Sequence, residues 1–557
     1  MKKLPIGLSD FKELIEENYY YIDKSELISE IIESGAKTIL IPRPRRFGKT
    51  LNLSMLNYFF SKDEGEEGLF KDLKIYKNQE AMSHCSRYPI IYITFKDVKE
   101  SSFKQTLESI KFLIDKEFSR YQKKIDTILD TIDIVDRKHY KRIINQEASD
   151  VDYKKAFKLL SKLLTIAYNQ KCIVLIDEYD TPIQTGFLEG YYKEMVGFFK
   201  TFMGAVLKDN DKYLYKAVLT GILRVSKESI FSDLNNIKVY TLLDNGFASR
   251  FGFTPSEVKN MLKDYNLSSD FKEVEKWYNG YRIGEYTIYN PWSILNFVDN
   301  KRFDVYWANT SSNEIIKTLV ENSEDFRKDL EILLRGESVE KVINPNITFR
   351  DRDFHFKEEM LYSFLFFSGY LKYISKRFYR GKYYCNLSIV NLECQYIFEN
   401  IISDWITDSF SSRKLRILLK ALVDGDLRLF ERIFSEFVRD TLSFYDVGKN
   451  VESVYHAFLL GLLVNLNDYE IISNQEAGYG RVDIILVHKK DKSRPAIVME
   501  LKTIDEFEEE TKEKALLSAI NQIKEKEYIS LVKKRGYYNI IAFGVVFDGK
   551  RVWVKRI

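Results

Sequence analysis

Cysteine, proline and glycine are all scarce in this sequence of 557 residues. The 4 cysteines stand at wide or irregular spacing, without a C-x-x-C pair or neighbouring histidines, which argues against a zinc module or a disulfide framework. With only 9 prolines and 25 glycines, a collagen-like chain or a long flexible linker is excluded. The chain is therefore expected to fold into compact domains with sizeable cores.

Long apolar runs and a large excess of one charge are missing as well. The strongest apolar stretches, near 361–371 and 457–466, are shorter than the roughly 20 residues that cross a bilayer. Pro5 and Asp10 interrupt the amino-terminal segment before the apolar region of a signal peptide could form, so we do not expect a secretory signal there. Since 85 basic residues nearly balance 82 acidic ones, the whole chain is no polycation that binds nucleic acid by charge alone. We expect a cytoplasmic protein with no membrane partner.

Residue patterns predict an α/β protein with three regions. Region 1–254 alternates β-branched runs with helical segments, which is typical of a parallel sheet with crossover helices. Region 255–441 is predicted to be mainly helical, and region 442–557 to be a smaller α/β domain. The strands expected in the first region are 38–41, 90–95, 173–176 and 214–219, with helices over 103–121 and 153–168. A buried helix is expected over 360–373.

A phosphate-binding loop is predicted where Gly48, Lys49 and Thr50 follow the first strand and begin an apolar-periodic helix. Backbone N–H groups at a helix amino terminus, a lysine for the β- and γ-phosphates and a hydroxyl for magnesium are what nucleotide binding requires. Arg43 stands where the general motif has its first glycine. A bare tripeptide of this kind also occurs by chance fairly often.

Asp177 and Glu178 strengthen this prediction because they directly follow the apolar run 173–176, at the strand end where open α/β sheets bind ligands. Asp177 is the expected magnesium ligand, and Glu178 the residue that orients or deprotonates the attacking water. The alternatives are a helix cap for the acidic pair and a solvated basic turn for the arginines of the loop. Taken together, the two segments favour nucleotide binding.

A second candidate site lies in two strand-like segments, 481–487 and 496–502, around a polar turn. If they form a symmetric antiparallel hairpin, Asp483 is opposite Glu500, and the period of two puts Lys502 on the same face. Facing carboxylates repel unless a cation lies between them, and a hard divalent ion bound by oxygens would serve. The alternative is that Arg481 and Lys502 neutralise the acids on a solvated sheet face.

Flanking helices add further candidates. Glu452 and His456 lie in an apolar-periodic helix before the hairpin, and Gln522 follows Ala519 by three residues on a helix after it. Glu452 is alternatively a favourable charge at a helix amino end, His456 a packed residue, and Gln522 a solvated one. Mixtures of cations and tyrosines at 376–384 and 533–538 are typical of nucleic-acid contacts or of solvated strand edges.

The chain resembles AAA-ATPase-like proteins fused to a PD-(D/E)xK nuclease domain. The motifs that carry the resemblance are PRPRRFGKT from Pro42, YYIDKSELI from Tyr20, LIDEYDTPI from Leu175, LTGILRVSKESIFSDLNN from Leu219, WYNGYRIG from Trp277, YNPWSIL from Tyr289 and YWANTS from Tyr306. Glu452, Gly480-Arg481-x-Asp483, Glu500-x-Lys502 and Ala519-x-x-Gln522 match the ordered nuclease pattern. In that family an arginine-rich loop replaces the first glycine.

The resemblance implies roles for individual residues. Asp483 and Glu500 would bind magnesium or manganese with the carbonyl of Leu501, Lys502 would position or activate water, and Glu452 and Gln522 would assist. In the amino-terminal region it implies that nucleotide and its magnesium contact Arg43, Arg45, Arg46, Gly48, Lys49, Thr50, Asp177, Thr220 and Arg224. Thr220 would take a sensor-like position, and Arg224 would reach the γ-phosphate. Arg224 is equally compatible with an ordinary surface or ion-pair arginine.

The resemblance implies an ATP-binding protein, expected to be an ATPase, which controls or powers a metal-dependent nuclease. Its partners would be ATP, magnesium or manganese, and nucleic acid, with DNA favoured over RNA. A regulatory switch whose nuclease-like domain binds without cutting is the main alternative. A DNA-translocating motor is a third alternative. The sequence is also compatible with a homo-oligomer, because an arginine that another copy supplies to the nucleotide site cannot be assigned from one sequence.

Overall fold

The structure is a computed structural model, and it describes residues 1–224, 236–307, 324–334, 336–345, 358–399, 412–441, 452–463, 465–466, 468–477, 480–504, 511–549 and 551–557. The chain divides into two compact units. The first unit comprises Met1–Leu319 and Ser338–Cys394, and the second comprises Val320–Glu337 and Gln395–Ile557. The three-region division with boundaries near 254 and 441 stays a prediction.

A five-stranded parallel sheet forms the centre of the first unit, in the order β2-β3-β4-β1-β5. Its strands are β1 (Thr38–Pro42), β2 (Ile90–Thr94), β3 (Cys172–Asp177), β4 (Leu214–Gly221) and β5 (Ile237–Val239). The inner strands β1, β3 and β4 are almost completely buried, as continuous β-branched runs in a parallel sheet predict. The expected α/β class and its first four strands are confirmed.

Helices surround this sheet. Those before residue 210 are α1 (Phe11–Glu16), α2 (Glu26–Glu33), α3 (Lys49–Phe60), α4 (Gln79–Met82), α5 (Phe103–Asp126), α6 (Ile134–Ile144), α7 (Asp150–Tyr168), α8 (Thr181–Leu188) and α9 (Tyr192–Leu207). The two helices expected between β2 and β3 are α5 and α7, and between them lies the shorter α6. Their apolar faces join those of α9 and the sheet in one core that includes Ile110, Phe118, Phe157 and Phe202.

The rest of the first unit combines helices with small antiparallel sheets. Its elements are α10 (Pro255–Asp264), α11 (Phe271–Tyr278), β6 (Tyr281–Ile283), β7 (Tyr286–Ile288), α12 (Pro291–Asn300), β8 (Val339–Ile343), α14 (Glu358–Ser368), β9 (Leu371–Tyr379) and β10 (Lys382–Ile389). The helix expected over 360–373 ends at Ser368 and is followed by a strand. Gly369 has a φ of 92°, a left-handed conformation that stops the helix.

The second unit is built on a mixed sheet in the order β11-β12-β13-β14-β15. Only β13 and β14 pair in parallel, and the other pairs are antiparallel. Its elements are α13 (Glu324–Leu334), α15 (Ser412–Asp424), α16 (Leu427–Thr441), α17 (Glu452–Leu463), β11 (Tyr469–Ala477), β12 (Gly480–His488), β13 (Ala496–Thr503), α18 (Lys512–Glu525), α19 (Tyr528–Lys534), β14 (Ile540–Asp548) and β15 (Arg551–Arg556).

Two hydrophobic clusters cover the two faces of this sheet. The helices α15, α16 and α17 pack on the face that carries Ile484, Met499 and Phe543. The helices α18 and α19 pack on the opposite face, which carries Ile485 and Val498. None of the described helices in either unit is long and apolar enough to cross a membrane.

Candidate nucleotide and nuclease sites

Gly48 ends the loop after β1 and is the residue before the first turn of α3. Its φ of 78° is left-handed, and no other group approaches the position that a Cβ would occupy. Glycine is therefore required by backbone conformation at this position. The conformation directs the chain from the buried strand into α3, whose amino-terminal N–H groups carry partial positive charge. The predicted strand, loop and helix are confirmed.

Asp177 lies at the end of β3 and accepts hydrogen bonds from three threonine hydroxyls. Thr50 Oγ1 is 2.7 Å and Thr94 Oγ1 3.3 Å from Asp177 Oδ2, and Thr220 Oγ1 is 2.6 Å from Oδ1. Burial and the neighbouring charge of Glu178 raise the pKa of the Asp177 carboxyl. The structure thus brings together Thr50, Asp177 and Thr220, which the sequence analysis named, and adds Thr94.

Thr94 was missed although a signal for it exists. It is the last residue of β2 and pairs with Asp177 in the parallel ladder. The carboxyl ends of parallel strands meet at one edge of a sheet, so a polar residue near the end of a predicted strand is a candidate for that edge.

Lys49 is buried under the loop. Its ammonium donates to the carbonyl oxygens of Arg43 at 3.2 Å and Pro44 at 3.1 Å. Burial lowers the pKa of Lys49, and the charges of Glu178 and Asp177 act in the opposite direction. Glu178 has a left-handed backbone, with a φ of 49°. Such strain at a non-glycine residue is typical of functional loops.

A cleft of about 380 Å³ opens over this loop. Its walls include Arg45, Lys49, Thr50, Glu178 and Trp292. Burial lowers the pKa of the Arg45 guanidinium, while the Glu178 carboxylate raises it. The exposed Arg46 lies over the ring of Trp292 at 4.3 Å, and it also lines the cleft. Basic and aromatic groups therefore surround the amino terminus of α3.

Arg43 differs from the other arginines of the loop. Its side chain is completely buried and donates to the carbonyl oxygens of Pro42 at 2.8 Å, Tyr240 at 2.7 Å and Gly246 at 3.3 Å. The guanidinium also lies over the ring of Phe251. Burial lowers the pKa of Arg43 to about 9. These contacts hold three backbone segments together and leave Arg43 outside the walls of the cleft.

Arg224 follows β4 and is partly buried. Burial lowers its pKa, and the groups that raise it are the Tyr179 phenol and the Asp244 carboxylate. The adjacent motif residues 225–235 lie outside the described part of the chain. Asp180, which the sequence analysis did not name, fixes the loop after β4 by accepting the N–H groups of Ile222 at 2.9 Å and Leu223 at 2.8 Å.

In the second unit, the register of β12 and β13 is the one expected from a symmetric turn. Ile484 pairs with Met499, and Leu486 with Ile497. Continuing this register by one residue puts Asp483 opposite Glu500 on the face that α18 and α19 cover. Asp483 Oδ2 also accepts the backbone N–H of Leu501 at 2.8 Å, which ties the carboxylate to the neighbouring strand.

Lys502 lies beside these acids. Its ammonium is 3.2 Å from Glu500 Oε1, and the Glu500 side chain is completely buried. Burial raises the pKa of the Asp483 carboxyl, while the Leu501 N–H, Lys502 and His456 lower it. Three ionisable groups with the chemistry of the predicted site thus share one face of the sheet.

Residues of α18 and α19 cover this face, whereas α17 packs on the opposite one. His456 contacts the carbonyl oxygen of Asp483 at 3.1 Å through Nε2, so it is tied to the strand that carries this carboxylate. Gln522 donates to the Tyr528 hydroxyl at 3.4 Å. Burial raises the pKa of Tyr528, and the charges of Glu500 and Asp483 act in the same direction. The side chains of Glu452 and Arg481 lie outside the described part of the structure. Tyr528 is a site residue that no sequence pattern had indicated.

The described donors fit a divalent cation in part. Asp483 and Glu500 supply two oxygen ligands of the type that magnesium and manganese prefer. Within the described residues no group of three or more histidine, cysteine, aspartate or glutamate side chains forms a metal cluster. A cation here would therefore need further ligands, for which the Leu501 carbonyl and water are suitable.

Comparisons with known proteins confirm the resemblance. Residues 5–231 match the family described as predicted AAA-ATPase, and residues 450–557 match the PD-(D/E)XK nuclease superfamily. The chain therefore joins an AAA-ATPase-like domain to a domain of the PD-(D/E)XK nuclease superfamily.

A curated relative is similar over 346 residues at 28% identity, which is 61% of this chain and 60% of that protein. It is an uncharacterized protein in the vnfD 5′ region of Azotobacter chroococcum mcd 1.

Proposed function

We propose that this protein binds and hydrolyses ATP and that its second unit is a metal-dependent nuclease that cleaves nucleic acid, with DNA as the favoured substrate. The observation that supports the proposal is the register of β12 and β13, which, continued by one residue, brings Asp483 opposite Glu500, together with the 3.2 Å contact between the Lys502 ammonium and Glu500. The family matches at both ends of the chain support the same assignment.

In the nucleotide site, the N–H groups at the start of α3 bind phosphate oxygens, and Lys49 neutralises the β- and γ-phosphates. Thr50 and Asp177 would hold magnesium, since they already contact one another at 2.7 Å. Glu178 orients the attacking water, while Arg45 and Arg46 line the phosphate side of the cleft. Thr220 keeps its proposed sensor-like position, and Arg224 keeps its proposed contact with the γ-phosphate. Arg43 receives a scaffold role instead of a phosphate contact, because backbone carbonyls bind its guanidinium.

In the nuclease site, Asp483, Glu500 and the Leu501 carbonyl would hold magnesium or manganese. A cation bound there supplies Lewis-acid stabilisation of the negative charge that develops on the phosphodiester. Lys502 positions the attacking water and neutralises charge beside it, because its ammonium is held by Glu500. Gln522 fixes the neighbouring helix through Tyr528, and Glu452 supports the cation or the water.

Cleavage assays test the nuclease proposal. The purified protein is incubated with linear, circular and single-stranded DNA, with magnesium or manganese, and with or without ATP. We expect Lys502→Ala to abolish cleavage with an unchanged melting temperature, and the exposed control Lys555→Ala to cleave as the parent does. Unchanged cleavage in Lys502→Ala would remove the role assigned to that residue. Nucleic-acid binding without cleavage at any divalent metal would favour the regulatory switch.

ATP titration tests the nucleotide site separately. We expect Lys49→Ala to abolish ATP binding, whereas the exposed control Lys71→Ala retains it. Equal binding by parent and Lys49→Ala would contradict the phosphate-loop assignment. ATP hydrolysis that DNA stimulates together with strand movement would favour the translocating motor.

A further inference from the structure

The hairpin formed by β9 and β10 carries an unusual surface around its turn. Residues 376–384 (KRFYRGKYY) contain four cations, four aromatic side chains and no carboxylate. We call these nine residues the basic-aromatic hairpin. The side chains of Phe378 and Tyr379 are 64% and 51% exposed, although large apolar groups are usually covered. Neither candidate site described above uses this surface.

Cross-strand pairing arranges the aromatic and basic groups in an ordered way. Phe378 is opposite Tyr383, and their ring centroids are 4.9 Å apart. Arg377 is opposite Tyr384, and its guanidinium lies over that ring at 4.7 Å. At the turn, Arg380 lies over the ring of Tyr379 at 5.3 Å. Since successive side chains alternate between faces, the Phe378–Tyr383 pair lies on one face of the hairpin, and Arg377, Tyr379, Lys382 and Tyr384 lie on the other.

The charges of the basic-aromatic hairpin are only weakly neutralised within the described residues. Arg377 pairs with the half-exposed Glu340 at 3.2 Å, and Lys382 lies 3.8 Å from Glu359. Exposed pairs of this kind are weak and are screened by salt, so a phosphate group can displace them. Lys376 differs because it donates to the Leu243 carbonyl at 2.6 Å, which anchors the strand. The cations of the hairpin that are available to a phosphate ligand are therefore Arg377, Arg380 and Lys382.

We propose that the basic-aromatic hairpin binds single-stranded nucleic acid. The phosphates contact Arg377, Arg380 and Lys382, and unpaired bases stack on Tyr379, which lies on the same face of the hairpin as Arg377 and Lys382. Aromatic faces beside cations suit this ligand because every base has a π-face and every nucleotide carries a negative charge. Bases inside a duplex are not available for such stacking, so single strands are favoured. The inference deepens the proposed function, since it names a binding surface for the nucleic acid that the nuclease unit would cleave.

Binding is measured by fluorescence anisotropy with a labelled 30-nucleotide single strand, without ATP and with EDTA, so that cleavage does not contribute. Arg380→Gln/Lys382→Gln removes two outward charges. Its slope of log affinity against log salt should be smaller in magnitude by about 1.4, because each contact to a single strand contributes about 0.7. The matched control Lys208→Gln/Lys212→Gln removes two exposed charges from the loop before β4 and should keep the parent slope.

Tyr379→Ala tests stacking separately from charge. Its affinity for the single strand should fall at least about five-fold, with an unchanged salt slope and little change in duplex binding. Melting temperatures equal to that of the parent establish that each variant is folded. DNA and RNA strands are compared in parallel, and a preference for one identifies the natural substrate class.

Two results would overturn the proposal. If the parent binds the strand and both hairpin variants bind it equally well, the hairpin is not the site, while the nuclease proposal is untouched. If the parent binds no nucleic acid but binds phosphatidylserine vesicles or an acidic polypeptide through these residues, the surface serves another partner. In that case the proposed nucleic-acid substrate falls as well.

Discussion

Replacing Arg43 distinguishes a scaffold from a phosphate ligand. Arg43→Ala leaves three backbone carbonyl oxygens, those of Pro42, Tyr240 and Gly246, without the donor that now binds them. An unsatisfied buried acceptor costs about 1–3 kcal/mol, and a cavity adds to this. Removal of a desolvated charge offsets part of the loss. We therefore expect the free energy of unfolding of the first unit to fall by about 3–5 kcal/mol.

Urea denaturation followed by circular dichroism measures this loss. The control is Arg46→Ala in the same loop, where the exposed guanidinium lies over the Trp292 ring. That variant should lose at most about 1 kcal/mol of stability. An Arg43→Ala protein as stable as the parent, but with weakened ATP binding, would refute the scaffold role and restore the role that the sequence had suggested.

Two further predictions concern single buried groups. Burial raises the pKa of the Glu393 carboxyl to about 7, so the native state binds this proton more tightly than the unfolded chain. Stability from this group is present at low pH and is lost between about pH 4.5 and 7, by about 3 kcal/mol. The stability of Glu393→Gln, measured by urea denaturation at several pH values, should lack this decline, and parallel curves would contradict the assignment. Tyr528→Phe removes the hydroxyl that accepts a hydrogen bond from Gln522, so the cleavage rate should fall about three- to ten-fold. The free energy of unfolding should fall by no more than about 1.5 kcal/mol. An unchanged cleavage rate would show that Tyr528 is not part of the site.

Local patterns in the sequence predicted the elements that carry both candidate sites. Continuous β-branched runs identified β1 to β4, because strands buried on both faces need apolar residues at every position. The polar turn at 489–495 fixed the register of β12 and β13, since a symmetric hairpin allows one pairing.

Elements that depend on distant partners were not predicted. The edge strand β11 was missed because its sequence, YEIISNQEA, has no regular alternation. The start of β9 was assigned to a helix, since FFSGYLKY continues an apolar run and only the conformation of Gly369 ends it. Among the site residues, Arg43 turns inward because the carbonyl oxygens of residues 240 and 246 accept hydrogen bonds from its guanidinium, and no local pattern reveals such long-range acceptors.

Manganese binding to the second unit tests the central claim most directly. Calorimetric titration of the full chain with Mn²⁺, in the presence and absence of ATP, separates the nuclease site from the nucleotide site. We expect Asp483→Asn and Glu500→Gln each to abolish the ATP-independent binding. The control Asp491→Asn, in the exposed turn between β12 and β13, should bind as the parent does. Retained binding in both site variants would contradict a metal-dependent nuclease at this position.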